Sequence, residues 1–396
     1  MTPLDHRRLP ALRLQDNTKL DPRDILKHFE GQAPETVSAI RSIVDIESPS
    51  HNAAASRQVV DTVEAMARAT GADVVIERFE VEDGTHLLIT AFPDRADFTF
   101  LLGHLDTVHP VGTALKNPTR VEGDRLYGCG TFDMKANVAV ALDVLRYFAE
   151  TGQQPSTAFR MLLSCDEEVG SQSGREYVER YAAGAKRCLV MEPSLEGKVK
   201  TGRKGTGMFQ LAAHGVPAHA GLEPEKGANA VAELARQVDK IHAIAKPEIG
   251  TTVNVTTFRG GTTLNVIPDH AISDIDVHYA IASEAERVEA QLNALVSSDP
   301  RVRLELTGAI NRPPLERNDA VLALYEKARS LAASFDYELG EAQVGGGSDG
   351  NFVAALGVPV LDGLGLAGAG AHTLDEYVLV GDIPKRATLL TLLLAS

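Results

Sequence analysis

Short apolar runs alternate with helix-spaced segments along this 396-residue chain, and the alternation breaks at Gly202 and resumes near Asn311. Apolar residues recur at helical spacing over 35–46 (Val37, Ile40, Ile43, Val44) and 54–69 (Val59, Val60, Val63, Met66). Strand-like runs follow at Asp73–Phe79, Leu87–Phe92 and Phe98–Leu102, then a helix over Lys135–Phe148 and strands at Phe159–Leu163 and Cys188–Met191. Strands interleaved with helices predict a layered α/β sheet covered on both faces. Beyond Gly202 the order changes to strand (Met208–Ala213), helix (Ala228–Ile244), two strands (Thr252–Phe258, Ala271–Tyr279), helix (Glu284–Val296) and strand (Val302–Leu306). That order is ferredoxin-like, an α+β unit that closes its own sheet and can interrupt a host domain. A helix at Ala320–Ala333, a turn at Gly345–Gly347 and a last helix ending near Leu393 complete the host. The expected organisation is therefore a discontinuous larger domain, 1–203 plus 311–396, with an inserted domain at 204–310.

Charge narrows the partners. The 39 Lys and Arg residues against 54 Asp and Glu leave a formal charge of −15, which repels phosphate backbones and anionic membranes and argues against nucleic acid. No apolar run, including Leu389–Ala395, approaches the roughly 18 to 20 residues of a membrane span. The irregular, charged leader to about Leu26 shows no secretory signal, so a cytoplasmic location is expected. Cys129, Cys165 and Cys188 are odd in number and lack CxxC spacing, so any metal must be held by histidine and carboxylate.

Such residues recur at the ends of the expected strands. His104 and Asp106 follow the run Phe98–Leu102 and point to one face of an extended chain, where the carboxylate can accept the ring N–H and orient the other nitrogen. The turn Gly128–Gly130 presents Asp133 at a helix start, where an isolated Asp would be an N-cap. The strand ending at Ser164 delivers Asp166, Glu167 and Glu168, three adjacent carboxylates that repel one another without a cation. Glu192 follows the strand Cys188–Met191, and His372 follows the glycine-rich stretch Gly363–Gly370. Each placement alone is unremarkable. Strand ends at one sheet edge converge, however, and this sulfur-free set suits zinc, manganese or cobalt, with a shared carboxylate joining two ions.

With these residues laid out, the sequence resembles the dinuclear-zinc family of glutamate carboxypeptidases, aminoacylases and deacylases, and is most similar to the bacterial glutamate carboxypeptidase branch. The matching motifs are GHLDTV (103–108), GCGTFDMKAN (128–137), SCDEEVGS (164–171), MEPS (191–194), GVPAHAG (215–221), GANAV (227–231), GGTTLNVIP (260–268), GGGSDG (345–350) and AHTLDEYV (371–378). The resemblance implies a mixed-sheet catalytic domain of the zinc-exopeptidase kind, a dimerisation or lid domain at 204–310, and a homodimer acting on a small molecule or short peptide. It implies two Zn2+ per subunit, replaceable by Mn2+ or Co2+: His104 and Glu192 on one ion, Glu168 and His372 on the other, Asp133 between them. It further implies Glu167 as general base, Asp106 as orienting partner of His104, a cis peptide between Asp133 and Met134, and His219 reaching the other protomer's site as oxyanion donor. Asn265, Gly346, Gly347 and Ser348 match substrate-contacting positions.

One departure concerns specificity. Where the glutamate-specific branch carries Asp-x-Arg, this chain has Asp276-Val277-His278, and a histidine is a weaker carboxylate clamp than a bidentate arginine. Arg203 is the basic residue expected to contact substrate in compensation; Lys204, Arg259 and Arg312 are further candidates that more often solvate a surface. His109 and His86 are read as without a role. The expected activity is zinc-dependent hydrolysis of the amide bond of a small peptide or N-acyl amino acid. The alternatives are a deacylase or dipeptidase not specific for glutamate and, from another class, a silent binding homologue, against which stands the complete set of ligands and base. HExxH and GKS/T motifs are missing from the sequence, which argues against a helix-based zinc protease and a nucleotide enzyme.

Overall fold

The structure, a computed structural model, describes residues 21–396, so the first twenty residues of the expected leader lie outside it. The described part of that leader is helical. Asp21 caps helix α1 (Pro22–Val44) by accepting from the Arg23 N–H, and Pro22 occupies the first turn, where its missing donor costs nothing. Helix α2 (Ala53–Ala69) begins at Asn52, whose side chain accepts from the Ala55 N–H.

Strands β1 (Val74–Val81), β2 (Gly84–Ala91), β3 (Phe98–His104), β4 (Ala158–Ser164), β5 (Arg187–Val190) and a short strand Val360–Leu361 form one sheet. Its order is β1-β2-β4-β3-β5 and then Val360–Leu361, antiparallel for the first two pairings and parallel thereafter. Strands β2 to β5 are buried on both faces, whereas the edge strand β1 alternates half-buried and exposed residues. Leu101, Met161 and Leu163 enter a core with Phe29, Ile40, Val60, Leu142 of helix α3 (Ala136–Thr151) and the C-terminal helix Ile383–Ala395. Phe100, Leu102 and Leu162 enter a second core, on the opposite face, with Val178 of helix α4 (Gly174–Ala182) and Phe352. The period-2 alternation of side chains thus feeds two helical layers from one set of strands. The fold is α/β, with a mixed sheet and helices on both faces.

Between Gly205 and Arg312 the chain builds a separate antiparallel sheet from β6 (Gly205–His214), β7 (Thr252–Gly260), β8 (His270–Tyr279) and β9 (Arg303–Arg312), ordered β7-β8-β6-β9. Helices α5 (Ala230–His242) and α6 (Ser283–Asn293) cover one face, packing Leu234, Ile241, Val288 and Leu292 onto Phe209, Leu211, Ile275 and Val277. This is the ferredoxin-like order expected of the strand and helix sequence. Strand β9 runs beyond the expected Leu306 because it pairs along almost all of β6, from Arg303 opposite His214 to Arg312 opposite Thr206. Just beyond its last residue, Leu315 bridges to Arg203, where the chain leaves for the inserted unit. No helix among the described residues is long and apolar enough to cross a membrane.

Candidate dinuclear metal centre

Strand β3 pairs in parallel with both β4 and β5, placing His104 opposite Ser164 and Leu102 opposite Val190. Three C-terminal strand ends therefore lie side by side, the position at which open α/β sheets collect their ligands. Beneath His104, Gly103 leaves room for the Met134 side chain, whose Cε would lie 2.5 Å from a Cβ at that position and would have to shift to admit one. The Asp133–Met134 peptide is cis.

One ligand atom each from His104, Asp133 and Glu192 lies within 4.8 Å of the others, and the same holds for Asp133, Glu168 and His372. Asp133 belongs to both groups. Its Oδ1 is 3.1 Å from His104 Nε2 and its Oδ2 3.6 Å from His372 Nε2, while Glu192 approaches His104 Nε2 at 3.5 Å and Glu168 approaches His372 Nε2 at 3.0 Å. The carboxylate that the sequence alone could leave as a helix cap instead stands between two clusters.

Asp106 has a wider role than orienting one ring. His104 Nδ1 lies 3.0 Å from the Asp106 carbonyl and 3.4 Å from its carboxylate. The Asp106 carboxylate also accepts the N–H groups of Glu167 and Glu168, both at 3.2 Å, and the Ser50 hydroxyl at 2.7 Å. The β4 turn is thereby fastened to β3, with Glu168 in the second cluster and Glu167 beside Arg312.

The electrostatics of the pocket call for a cation. Burial opposes charge on His104, yet hydrogen bonds to Asp106, Asp133 and Glu192 hold its imidazole well above the ordinary range. The contact with Asp133 pushes His372 up to about 9. Burial raises Glu168 to about 7, and burial drives Glu167 well above the ordinary carboxylate range against the opposing charge of Arg312. Carboxylates crowded around two nitrogen donors thus draw in positive charge that protons supply only in part. This N/O donor set, divided into two groups with one shared member, fits zinc.

The remaining expected residues divide in two. Gly346 opens onto space, since a Cβ there would meet nothing within 4 Å, and His278 Nδ1 lies 3.1 Å from the Gly345 carbonyl. His219 and Asn265 are brought together on a two-stranded ribbon of the inserted unit, where His219 pairs with Val266 and the Asn265 carbonyl accepts the Ala220 N–H. Among the described residues neither side chain bonds to the two ligand clusters. Arg203 requires a correction. It is buried, donates to both oxygens of Asp362 at 2.8 and 2.7 Å and to Glu192 at 3.2 Å, and bonds the Gly346 and Gly347 carbonyls at 3.2 and 2.9 Å. A guanidinium so engaged positions Glu192 and the glycine loop and has no donor to offer substrate. Ser348 likewise turns inward, its hydroxyl on Asp362 and its N–H on Asn351.

Several residues without an expected role serve the site. Arg312, a candidate more often seen at a surface, is buried; it donates to Asp349 at 2.7 Å and lies 3.3 Å from the Glu167 carboxylate. His109 bonds Glu376 at 3.0 Å. His86, Cys165 and Asp166 form a third potential donor group, but His86 Nδ1 accepts the Cys165 N–H and Asp166 accepts from Ser173 and Gly174, so this group pins the turn into α4. Arg312 is a candidate on charge alone, and Cys165, Asp166 and Glu376 lie inside the motifs SCDEEVGS and AHTLDEYV, but nothing local in the sequence marks the contacts they make.

Residues 100–396 match peptidase family M20/M25/M40. The chain is 33% identical over 296 residues to carboxypeptidase G2 of Pseudomonas sp. (strain RS-16), covering 72% of this chain and 70% of that protein. It is 30% identical over 313 residues to succinyl-diaminopimelate desuccinylase of Delftia acidovorans, covering 73% and 78%. Among solved structures, aminopeptidase PepT of Bacillus cereus superposes with a TM-score of 0.75 at 20% identity, covering 92% of this chain and 98% of that one. A metallo-carboxypeptidase of Sulfolobus solfataricus superposes with a TM-score of 0.68 at 15% identity, covering 91% and 98%. The chain belongs to peptidase family M20/M25/M40 and is a metal-dependent hydrolase of peptide or amide bonds.

Proposed function

We propose that this enzyme cleaves a short peptide or N-acyl amino acid at a centre of two zinc ions and works as a cytoplasmic homodimer paired through a domain inserted at 204–310. The observation that carries the reading is the position of Asp133, common to both ligand groups. Zinc held by His104 and Glu192 on one side, by Glu168 and His372 on the other and by Asp133 between them would lower the pKa of water and polarise the scissile carbonyl; Mn2+ or Co2+ suits the same donors.

Glu167 is the general base. Burial raises its proton affinity above the ordinary carboxylate range, and the charge of the nearby Arg312 opposes that rise. It takes the proton of the attacking water and delivers it to the departing amine. Asp106 holds the Glu167–Glu168 turn in register with His104. On the inserted unit, His219 Nδ1 accepts N–H groups from Gly221 and Leu222, which leaves the proton on Nε2. That tautomer is a donor suited to a tetrahedral oxyanion in the partner's site.

Substrate lies along the Gly346–Gly347 segment, open at Gly346, with His278 at its edge and Asn265 offered from the ribbon of the inserted unit. A deacylase or dipeptidase not restricted to glutamate is favoured over a glutamate carboxypeptidase because His278 Nε2 lies 3.1 Å from the Asp276 carboxylate. With Nδ1 on the Gly345 carbonyl as well, both ring nitrogens of His278 are engaged and neither is left to donate to a substrate carboxylate. Glu167→Gln tests the mechanism: with zinc content unchanged, kcat is expected to fall by about 10²- to 10⁴-fold. An unchanged kcat would remove Glu167 from its role.

A further inference from the structure

Glu376 is fully buried, four residues beyond His372, and among the described residues no arginine or lysine bonds to its carboxylate. It is met instead by N–H donors. Oε1 accepts from Phe132 N at 2.8 Å and Asp133 N at 2.9 Å; Oε2 accepts from Gly130 N at 2.8 Å and lies 3.0 Å from His109 Nε2. Three of these donors belong to one turn, where Gly130 is left-handed (φ 73°) and Asp133 leaves helical geometry (φ −116°, ψ 92°). A turn of that shape cannot satisfy its own N–H groups through a helical ladder, and a carboxylate fills the cradle they make.

The placement follows from strand pairing. Tyr377–Leu379 pairs antiparallel with Arg125–Tyr127, Tyr377 opposite Tyr127, and the Glu376 carbonyl extends the ladder by accepting the Gly128 N–H at 3.3 Å. The same short segment therefore carries His372 at its start and the anchor of the Asp133 turn at its end. Asn117 fastens the segment between them by donating to the Leu374 carbonyl at 2.8 Å.

We propose that Glu376 is the positioning residue that fixes Asp133 between the two metal positions and locks it to the His372 segment, with His109 completing its hold. The assignment rests on the dinuclear reading above. Glu376 touches neither substrate nor ion; it acts by setting where the Asp133 carboxylate stands relative to His104 and His372. Outer residues of this kind commonly control affinity for the ion as strongly as they control activity.

The test uses the full-length chain, stripped of metal and titrated calorimetrically with zinc, with the visible spectrum of the Co2+-loaded protein as a second readout. Glu376→Gln keeps the size of the side chain but turns an amide NH2 toward N–H donors. Its zinc affinity is expected to fall about 10- to 100-fold with an altered Co2+ spectrum. His109→Leu, which leaves the three backbone bonds to Glu376 in place, should shift both readouts in the same direction by less, and it carries the test should Glu376→Gln fail to fold. Variants with the wild-type affinity and Co2+ spectrum would overturn the role of Glu376 alone. Wild-type protein that binds fewer than two zinc ions would instead overturn the dinuclear reading.

Discussion

Arg312 Nη2 lies 3.3 Å from the Glu167 carboxylate and donates to the Glu167 backbone carbonyl at 3.2 Å. One side chain thus bears on both the position and the proton affinity of Glu167, the proposed base, where its charge opposes the effect of burial. Arg312→Gln removes a positive charge that opposes the effect of burial, so the Glu167 pKa rises. Because the base must be ionised to act, the acidic limb of the kcat/KM profile should move to higher pH. The variant also leaves Asp349 buried without its cation, an expected loss of about 3 to 5 kcal/mol in a denaturant titration. An unmoved limb would separate Arg312 from the chemistry.

The specificity argument turns on His278, held between Asp276 and the Gly345 carbonyl. His278→Arg restores a bidentate donor and should raise the kcat/KM ratio for an acyl-glutamate over a neutral acyl amino acid by about ten- to a hundredfold. A panel of N-acyl amino acids measures this directly. An unchanged ratio would show that carboxylate recognition lies elsewhere.

The inserted unit has its own acid sensitivity. Hydrogen bonds from Arg287, with a further one from Thr251, lower the Glu284 pKa from its ordinary 4.5 to about 2. A lowered folded-state pKa contributes stability that is complete above the unfolded value and is lost as pH falls toward the folded one. Arg287→Ala should cost about 1.5 to 3 kcal/mol near neutral pH and flatten the decline between roughly pH 4.5 and pH 2. Urea midpoints measured across that range decide the point.

Much of this architecture is legible in the sequence, and the unread parts share a cause. The apolar runs of β3 and β4 announce themselves because both faces of the sheet are buried, and the ligands at their ends inherit that clarity. Val199–Arg203 is also a strand, yet Lys200, Thr201 and Arg203 disguise it. Their burial depends on partners such as Asp362, 159 residues from Arg203. Helix α4 escapes notice because only Gly174, Val178 and Ala182 are buried in it. Glu376 is the clearest case: its backbone donors lie more than 240 residues earlier, and a buried carboxylate satisfied by N–H groups has no local signature.

The central claim is that Asp133 joins two ions in a centre that hydrolyses amide bonds, and a zinc titration of the metal-stripped enzyme tests it most directly. Hydrolysis of a dipeptide and N-acyl amino acid panel should be abolished by chelation and should rise with added zinc, saturating at about two equivalents per chain. In Asp133→Asn the recovered activity should be lower by orders of magnitude. Activity that survives chelation, or that saturates fully at a single equivalent, would contradict the account.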